Sequence, residues 1–91
     1  MAMMDRPRIR EGLEIDEVED GLIVCQQPND QIHHLNPTAA IVFELCDGSR
    51  DAAEIATAVR DLFGLDRAPS EDVRACILQL AEKGLLVSSG G

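Results

Sequence analysis

A chain of 91 residues with 45% hydrophobic content can form one hydrophobic core but not two, so a single globular domain is expected. Its 17 acidic and 8 basic residues give a formal net charge of −9, which disfavours binding to the phosphates of a nucleic acid. No apolar stretch has the length of a membrane span and no charged segment leads into an apolar one. We therefore expect no membrane span, no secretory signal and a cytoplasmic location.

The beginning of the chain predicts an arm followed by a β-hairpin. Residues 1–10 contain three arginines and few apolar residues, which favours a flexible N-terminal arm that adds nothing to the core. From Leu13 to Val18 apolar residues alternate with acids, and Asp20-Gly21 marks a turn before the apolar run from Leu22 to Cys25. These patterns predict two antiparallel strands.

The first strand and its turn are strongly acidic. The acids there occur without a base among them, at Glu14, Asp16, Glu17, Glu19 and Asp20. A solvated strand face and turn would explain such a run, because charged side chains usually lie in water. An acidic edge that attracts a basic partner is the alternative interpretation.

A second turn and a third strand follow. Pro28-Asn29-Asp30 has the residue types of a turn, since proline presets one backbone dihedral and Asn and Asp bond to the local backbone. The next segment, from Gln31 to Leu35, predicts a short strand. Because side chains alternate along a strand, Ile32 and His34 would share one face. The other face would carry His33 and Leu35.

Asn36-Pro37 predicts the start of the first helix. The proline holds Asn36 extended, the Asn side chain can cap the helix, and Pro37 needs no hydrogen bond at the first helical position. The apolar residues from Thr38 to Cys46 surround nearly the whole helix, which indicates a buried central element. Asp47-Gly48 would end it.

The second helix is predicted by a capping pattern and an apolar stripe. Asp51 would begin it as the cap, and Glu54, three residues later, would complete a capping box. Gly64 would end it. The residues of the stripe, all expected to face inward, are Ala52, Ile55, Ala56, Val59, Leu62 and Phe63.

The third helix is expected between a cap at Ser70 and a stop at Gly84, with Lys83 in its last turn. Its buried stripe would consist of Val73, Cys76, Ile77 and Leu80. A rotation of about 100° per residue places Arg74, Leu78 and Ala81 on the adjoining flank. Residues 85–87 predict a short terminal strand or an apolar clasp, and residues 88–91 a frayed end.

Three short strands followed by three helices predict an α+β, winged-helix-like domain over residues 11–87, with the helices on one face of a three-stranded antiparallel sheet. We find no internal repeat and no linker that would divide the chain. If the third strand lies at an edge, its unpaired backbone groups could bind a peptide or pair with a second copy in a homodimer.

The sequence contains little that could support catalysis. His33 and His34 are adjacent on a strand and would point to opposite faces, so they cannot hold one metal ion or proton together. Cys25, Cys46 and Cys76 are widely separated without a CxxC pattern, and thiols on apolar helix faces keep their protons. We therefore expect no catalytic residue, no metal site, no cofactor and no disulfide.

Two features speak against a DNA-binding winged helix, which the order of the helices would otherwise suggest. The chain has no Trp or Tyr and both Phe residues are expected in the core, so platforms for base stacking are missing. The third helix also carries more acids than bases, which suits a major groove poorly. An acidic winged-helix regulator and a homodimeric assembly subunit are kept as alternatives.

Three segments together resemble the PqqD family. The first runs from His34 to Ala40 as HLNPTAA, the second from Leu45 to Arg50 as LCDGSR, and the third from Leu80 to Val87 as LAEKGLLV. With Glu54-Ile55 and Asp72-Val73-Arg74, the resemblance covers roughly residues 8–87 in order and spacing.

The resemblance implies a RiPP recognition element, a domain that serves enzymes modifying ribosomally made peptides. Such a domain binds the leader of a precursor peptide as an added strand on its third strand, beside its third helix, and many members work with a radical SAM maturase. The chain would then be a non-catalytic peptide chaperone in pyrroloquinoline quinone synthesis or a related pathway. Strand addition needs no catalytic residue, because main-chain bonds supply affinity and alternate side chains supply specificity.

The same resemblance implies a set of peptide-binding residues. On the strand side they would be Ile32, His33, His34 and Leu35. On the helix side they would be Arg74, Leu78 and Ala81, with Lys83 as a further contact for an acidic leader.

Overall fold

The computed structural model describes residues 6–26 and 31–88 of the chain. The described strands are β1 (Pro7–Ile9), β2 (Leu13–Val18), β3 (Gly21–Gln26), β4 (Gln31–Leu35) and β5 (Leu86–Ser88). The helices are α1 (Pro37–Leu45), α2 (Ala52–Phe63) and α3 (Ser70–Glu82). The predicted α+β architecture is confirmed, because a three-stranded antiparallel sheet is followed by three helices. Strands β1 and β5 add a separate two-stranded ribbon.

The alternating pattern of the first half forms the sheet in the order β2-β3-β4. Strand β3 lies in the middle, and its Leu22 and Val24 are buried in the core. Leu22 pairs with the buried Leu35 of β4, so both strands place apolar side chains on the face covered by the helices. Strand β4 forms one edge of this sheet and β2 the other. The predicted turn at Pro28-Asn29-Asp30 lies outside the described residues.

The N-terminal ends of α1 and α2 follow the predicted caps. The side chain of Asn36 accepts a hydrogen bond from the Ala39 N–H at 2.8 Å, with Pro37 in the first turn. Asp51 and Glu54 form the predicted capping box, in which each side chain accepts a bond from the other's backbone N–H at 2.9 Å. These bonds satisfy N–H groups that have no partner inside the helix.

The predicted cap of α3 is wrong. Ser70 is the first residue of the helix, Pro69 occupies the cap position, and no side-chain hydrogen bond from that position caps the helix. A proline has no side-chain acceptor to offer. Glu71 and Asp72 lie in the first turn, where their charges interact favourably with the helix dipole and partly replace the missing cap.

The last turn of α2 is more exposed than its apolar stripe predicts. Ile55 and Val59 are buried as expected, but Leu62 is 62% exposed and Phe63 is 46% exposed. Helical periodicity shows which face is apolar but not how far along the helix the neighbouring elements reach. Phe43 of α1 is fully buried, so the expectation that both Phe residues lie in the core is wrong for Phe63 alone.

Residues 7–9 are not a flexible arm, contrary to the expectation for residues 1–10. They form β1, which pairs antiparallel with β5, and the side chain of Pro7 is fully buried. The N–H of Ile9 also donates to the carbonyl of Cys46 at 3.0 Å. Strand β1 therefore ties the start of the described chain to both β5 and the end of α1.

Residues 85–87 were predicted to form either a short terminal strand or an apolar clasp, and the structure shows a strand, β5. Leu85 and Leu86 are buried, and β5 continues to Ser88, which pairs with Pro7. The predicted frayed end therefore does not begin at Ser88, and residues 89–91 lie outside the described part of the chain. No helix among the described residues is both long and apolar enough to cross a membrane.

Gly21 should be intolerant of a side chain. Its φ is 141°, and an added Cβ would collide with the carbonyl oxygen of Leu35 at the end of β4. We expect Gly21→Ala to lower the free energy of unfolding by at least about 3 kcal/mol, because backbone strain and a backbone collision must both be relieved. Urea denaturation followed by circular dichroism measures this change.

Gly12→Ala is the matched control for this prediction. Gly12 also has a positive φ, 87°, but nothing lies within 4 Å of a Cβ placed there. The substitution should cost only about 1 kcal/mol, from backbone strain alone. Equal losses of stability in the two variants would contradict the proposed collision with Leu35.

Candidate functional site

Strand β4 presents a free edge of the three-stranded sheet. It pairs with β3 on one side, from Leu22 opposite Leu35 to Gln26 opposite Gln31. On its other side, alternate residues direct backbone N–H and C=O groups away from β3. None of the described strands pairs with these groups. They can form a ladder with another extended chain.

The side chains of β4 alternate between the two faces of the sheet, as predicted. His33 lies opposite the buried Val24 and faces the helices together with Leu35. Ile32 and His34 lie on the opposite face, and Ile32 is 69% exposed. The four strand residues thus divide into a helix-facing pair and a solvent-facing pair.

The side chains of Gln26 and Arg10 lie between the helix-facing side of β4 and the C-terminal end of α3. Nε2 of His33 lies 3.3 Å from Oε1 of Gln26. The Gln26 side chain reaches Gly84, where an added Cβ would lie 2.9 Å from its Nε2. Nη1 of Arg10 donates to the Gly84 carbonyl at 3.4 Å. The Gln26 side chain therefore contacts the middle of β4 through His33 and lies close to the turn that ends α3.

Gln26 is a site residue that the sequence analysis missed. It pairs with Gln31 and lies on the same face of the sheet as His33. Its position follows from the strand register, which side-chain alternation alone does not reveal. The predicted turn at residues 28–30 gave no signal for this pairing, because Gln26 lies two residues before it and Gln31 one residue after it.

The predicted residues of α3 lie beside its buried stripe, which consists of Val73, Ile77 and Leu80. Arg74 is exposed, Leu78 is 51% exposed, and Ala81 is half-buried against the core. Lys83, expected in the last turn, is the exposed C-cap residue. The flank therefore offers apolar surface next to positive charge.

Strand β4 and helix α3 are not joined by their own side chains. Within residues 6–26 and 31–88, no side-chain hydrogen bond or ion pair links the two elements. His33 instead contacts Gln26, and Nε2 of His34 lies 3.4 Å from Oδ1 of Asp20. The predicted strand and helix residues thus keep their exposed surfaces available to a third chain.

An apolar pocket of about 320 Å³ lies between the three helices, apart from these residues. Its walls include Thr38, Val42, Phe63, Asp72 and Cys76. A rotation of about 100° per residue places Cys76 on the flank of α3 opposite Arg74 and Leu78. The pocket is therefore separated from the predicted helix residues by the buried stripe of α3.

Cys46 and Cys76 do not provide an activated nucleophile. Burial, followed by the nearby Cys76 and Asp47, raises the pKa of the Cys46 thiol from 9.0 to about 12. Its Sγ donates a hydrogen bond to the Val42 carbonyl at 3.1 Å. Burial also raises the pKa of Cys76. Both thiols are therefore protonated at neutral pH, as their apolar helix faces predict.

The described residues contain no group of three or more His, Cys, Asp or Glu side chains placed to hold a metal ion. The open backbone edge of β4, with side chains on either side of it, is suited to binding another extended chain.

Comparison with protein families and curated proteins gives one match. A family model described as Coenzyme PQQ synthesis protein D (PqqD) matches residues 21–86. This segment includes β3, β4 and all three helices. No curated protein matches the chain.

Three solved structures are similar to this chain. TbiB1 in complex with the TbiA(beta) leader peptide is 20% identical with a TM-score of 0.73, over 87% of this chain and 93% of that one. Lasso peptide synthetase B1 complexed with the leader peptide is 19% identical with a TM-score of 0.74, over 90% and 98% of the two chains.

The third is the solution structure of the PqqD truncation of Methylobacterium extorquens PqqCD, described as a functional and stand-alone RiPP recognition element. It is 25% identical with a TM-score of 0.63, over 89% of this chain and 87% of that one. All three comparisons support the observed fold.

Cys46 should be almost unreactive while the protein is folded. A pKa of about 12 in place of 9.0 lowers its thiolate fraction at pH 8 about a thousandfold, and burial removes access as well. We expect N-ethylmaleimide at pH 8 to leave Cys46 unmodified in the folded protein and to modify it rapidly in guanidinium chloride. Peptide mapping by mass spectrometry measures both rates, and rapid labelling of Cys46 without denaturant would contradict its buried, protonated state.

Proposed function

The chain belongs to the PqqD family, and we propose that it is a non-catalytic adaptor that binds the leader of a ribosomal precursor peptide and presents it to a modifying enzyme. The leader would add to β4 as a further strand. Main-chain hydrogen bonds along the edge would supply affinity, and alternate side chains would supply specificity. The free edge of β4 is the observation that carries this proposal.

On the helix-facing side, the added strand would lie between β4 and α3. Its side chains would meet His33 and the flank that carries Arg74, Leu78 and Ala81. Covering the exposed half of Leu78 would contribute on the order of 1 kcal/mol. Arg74 and Lys83 form no ion pair with another described residue, so they favour an acidic leader.

On the opposite face of the sheet, alternate leader side chains would lie beside Ile32 and His34. Ile32 pairs across the sheet with Cys25, and both are on the face that no helix covers. An apolar leader side chain on this face would remove Ile32 from water, since cross-strand neighbours on one face are in contact. Both faces of the added strand would therefore contribute to leader selection.

The three similar solved structures support the proposal that this chain binds a leader peptide. Two of them hold a leader peptide, and the third is described as a RiPP recognition element. We infer further that the enzyme served is a radical SAM maturase, in pyrroloquinoline quinone synthesis or a related peptide pathway. The step would take place in the cytoplasm, where the precursor is translated.

A second copy of the chain would compete with the leader for β4. If the free protein forms a homodimer through this edge, the leader would dissolve it, because one edge accepts one strand. Light scattering over a dilution series, with and without leader, distinguishes this adaptor from a permanent homodimeric subunit.

Leu78→Glu should weaken leader binding, whereas Leu62→Glu should not. Both leucines are largely exposed, at 51% and 62%, but Leu62 lies on α2. A carboxylate at position 78 would be buried against the leader, so we expect Kd to rise at least about tenfold, or about 1.4 kcal/mol. Fluorescence anisotropy with the labelled leader of a precursor encoded beside this chain's gene measures both variants.

Two outcomes of this titration would count against the proposal. Equal weakening by the two substitutions would remove α3 from the binding site. An absence of saturable binding by the unaltered protein up to about 1 mM leader, where even weak complexes form, would overturn the adaptor function itself.

Leader binding should also slow amide hydrogen exchange along β4. The amides of Gln31–Leu35 that point away from β3 would become hydrogen-bonded, so we expect their exchange to slow at least about tenfold at saturating leader. The amides of Leu13–Val18 in β2 serve as the internal control and should not change. Protection of β2 in place of β4 would show that the leader adds to the other edge of the sheet.

A further inference from the structure

Beyond Leu13, which packs against the core, the β2 edge of the sheet is exposed on its helix-facing side. Ile15 lies opposite the buried Val24 and so points to the same face, yet it is 43% exposed. Helix α1 packs over β3 and β4 and leaves this part of the sheet open. Between the end of β2 and α1 lies a groove of about 600 Å³, which we call the acidic groove.

The acidic groove has an apolar floor and a charged rim. The floor includes Leu22, Ala40, Ile41 and Phe63, and Phe63 is 46% exposed. The rim carries Glu17, Glu19 and Glu44. None of the residues that line the groove is basic. Apolar surface surrounded by a charged rim can accept an amphipathic side chain of a partner.

The three rim carboxylates have no paired cation within residues 6–26 and 31–88. None of Glu17, Glu19 and Glu44 forms an ion pair or a side-chain hydrogen bond with another described residue. A lysine or arginine from another chain could cover the apolar floor with its alkyl stem and bring its charge to this rim. The groove is therefore complementary to a long cationic side chain.

The face of β2 that no helix covers also favours a cationic partner. Glu14 and Asp16 lie on the face of the sheet that no helix covers, opposite Cys25 and Ile23 of β3. A strand added beside β2 would place alternate side chains next to these acids and the remaining ones next to Ile15 and the groove. Such a strand matches the surface when cationic and apolar residues alternate along it.

A second copy of the chain, a nucleic acid and an anionic membrane are all poor partners for this acidic surface. Pairing of β2 with β2 of a second copy would bring Glu14, Asp16 and Glu17 against acids, which is destabilising. Nucleic acids and anionic membrane surfaces are repelled by the same charges. The β4 side differs, because Arg74 and Lys83 lie on or near the helix flank proposed to face that edge. The two edges thus prefer strands of opposite charge.

We propose that the acidic groove and the β2 edge dock an extended segment of a second protein in which lysine or arginine alternates with apolar residues. Its apolar side chains cover Ile15 and Phe63, and its cations face Glu14 and Asp16. One further cation, beyond the end of the paired strand where the alternation no longer applies, reaches the rim of the groove. Main-chain bonds continue the sheet beyond β2. This site needs no leader on β4, so its failure and the failure of the proposed function are separate results.

A synthetic decapeptide of alternating lysine and valine is a suitable probe. In NMR titrations of the intact ¹⁵N-labelled protein, we expect saturable shifts that cluster at β2, Gly21 and Phe63, with a Kd on the order of 100 μM. The same peptide with glutamate in place of lysine should cause no saturable shift at these residues. The double variant Glu17→Lys/Glu44→Lys should weaken binding of the lysine peptide at least about tenfold.

The double variant Asp66→Lys/Glu82→Lys is the matched control. It changes the net charge by the same amount at exposed positions that do not line the groove, so it should alter Kd less than about threefold. Circular dichroism verifies that both double variants are folded. Equal weakening by the two double variants, or shifts confined to β4 or spread over all acidic residues, would overturn the proposal.

Discussion

A one-residue corner between β4 and α1 determines where the rest of the domain can pack. Strand β4 ends at Leu35 and α1 begins at Pro37, so Asn36 alone connects them and also caps the helix. The missing side chain at Gly21 leaves room for the Leu35 carbonyl at this corner. Because no linker intervenes, α1 must lie across β3 and β4, where Phe43 enters the core. The two edges of the sheet are then left free in different ways. Strand β4 keeps a covered face and an open backbone edge, whereas β2 is exposed on both faces beyond Leu13.

The parts of the fold that depend on local chemistry could be predicted from the sequence. The cap at Asn36, the capping box of Asp51 and Glu54, and the three central strands follow from neighbouring residues, whose preferences act over a few positions. The β1–β5 ribbon could not be predicted in the same way. It joins Pro7 to Ser88 across nearly the whole chain, and a three-residue strand that begins with proline has no periodicity to detect. Phe63 shows a related limit, because its burial depends on where neighbouring elements end.

The candidate site was predictable to a similar extent. The division of Ile32 and His33 between two faces follows from the period of a strand, and the exposure of Leu78 follows from the rotation of a helix. Gln26 and the acidic groove depend on register and on the placement of α1 over the sheet, which are tertiary properties. The raised pKa of Cys46 agrees with its apolar surroundings, so the prediction of a protonated thiol required only the apolar composition of residues 38–46.

Strand β3 would be the common support of both proposed complexes. Neighbouring strands lie about 4.8 Å apart, so strands added beyond β2 and β4 would be separated by four spacings, or about 19 Å. A modifying enzyme held at the acidic groove would then have the bound leader within the diameter of a small domain, which raises the effective concentration of the precursor without a direct contact between the two. The opposite charge preferences of the edges would keep each partner on its own side, since like charges repel a strand placed on the wrong edge. A single small sheet could in this way orient two chains while contributing no catalytic group of its own.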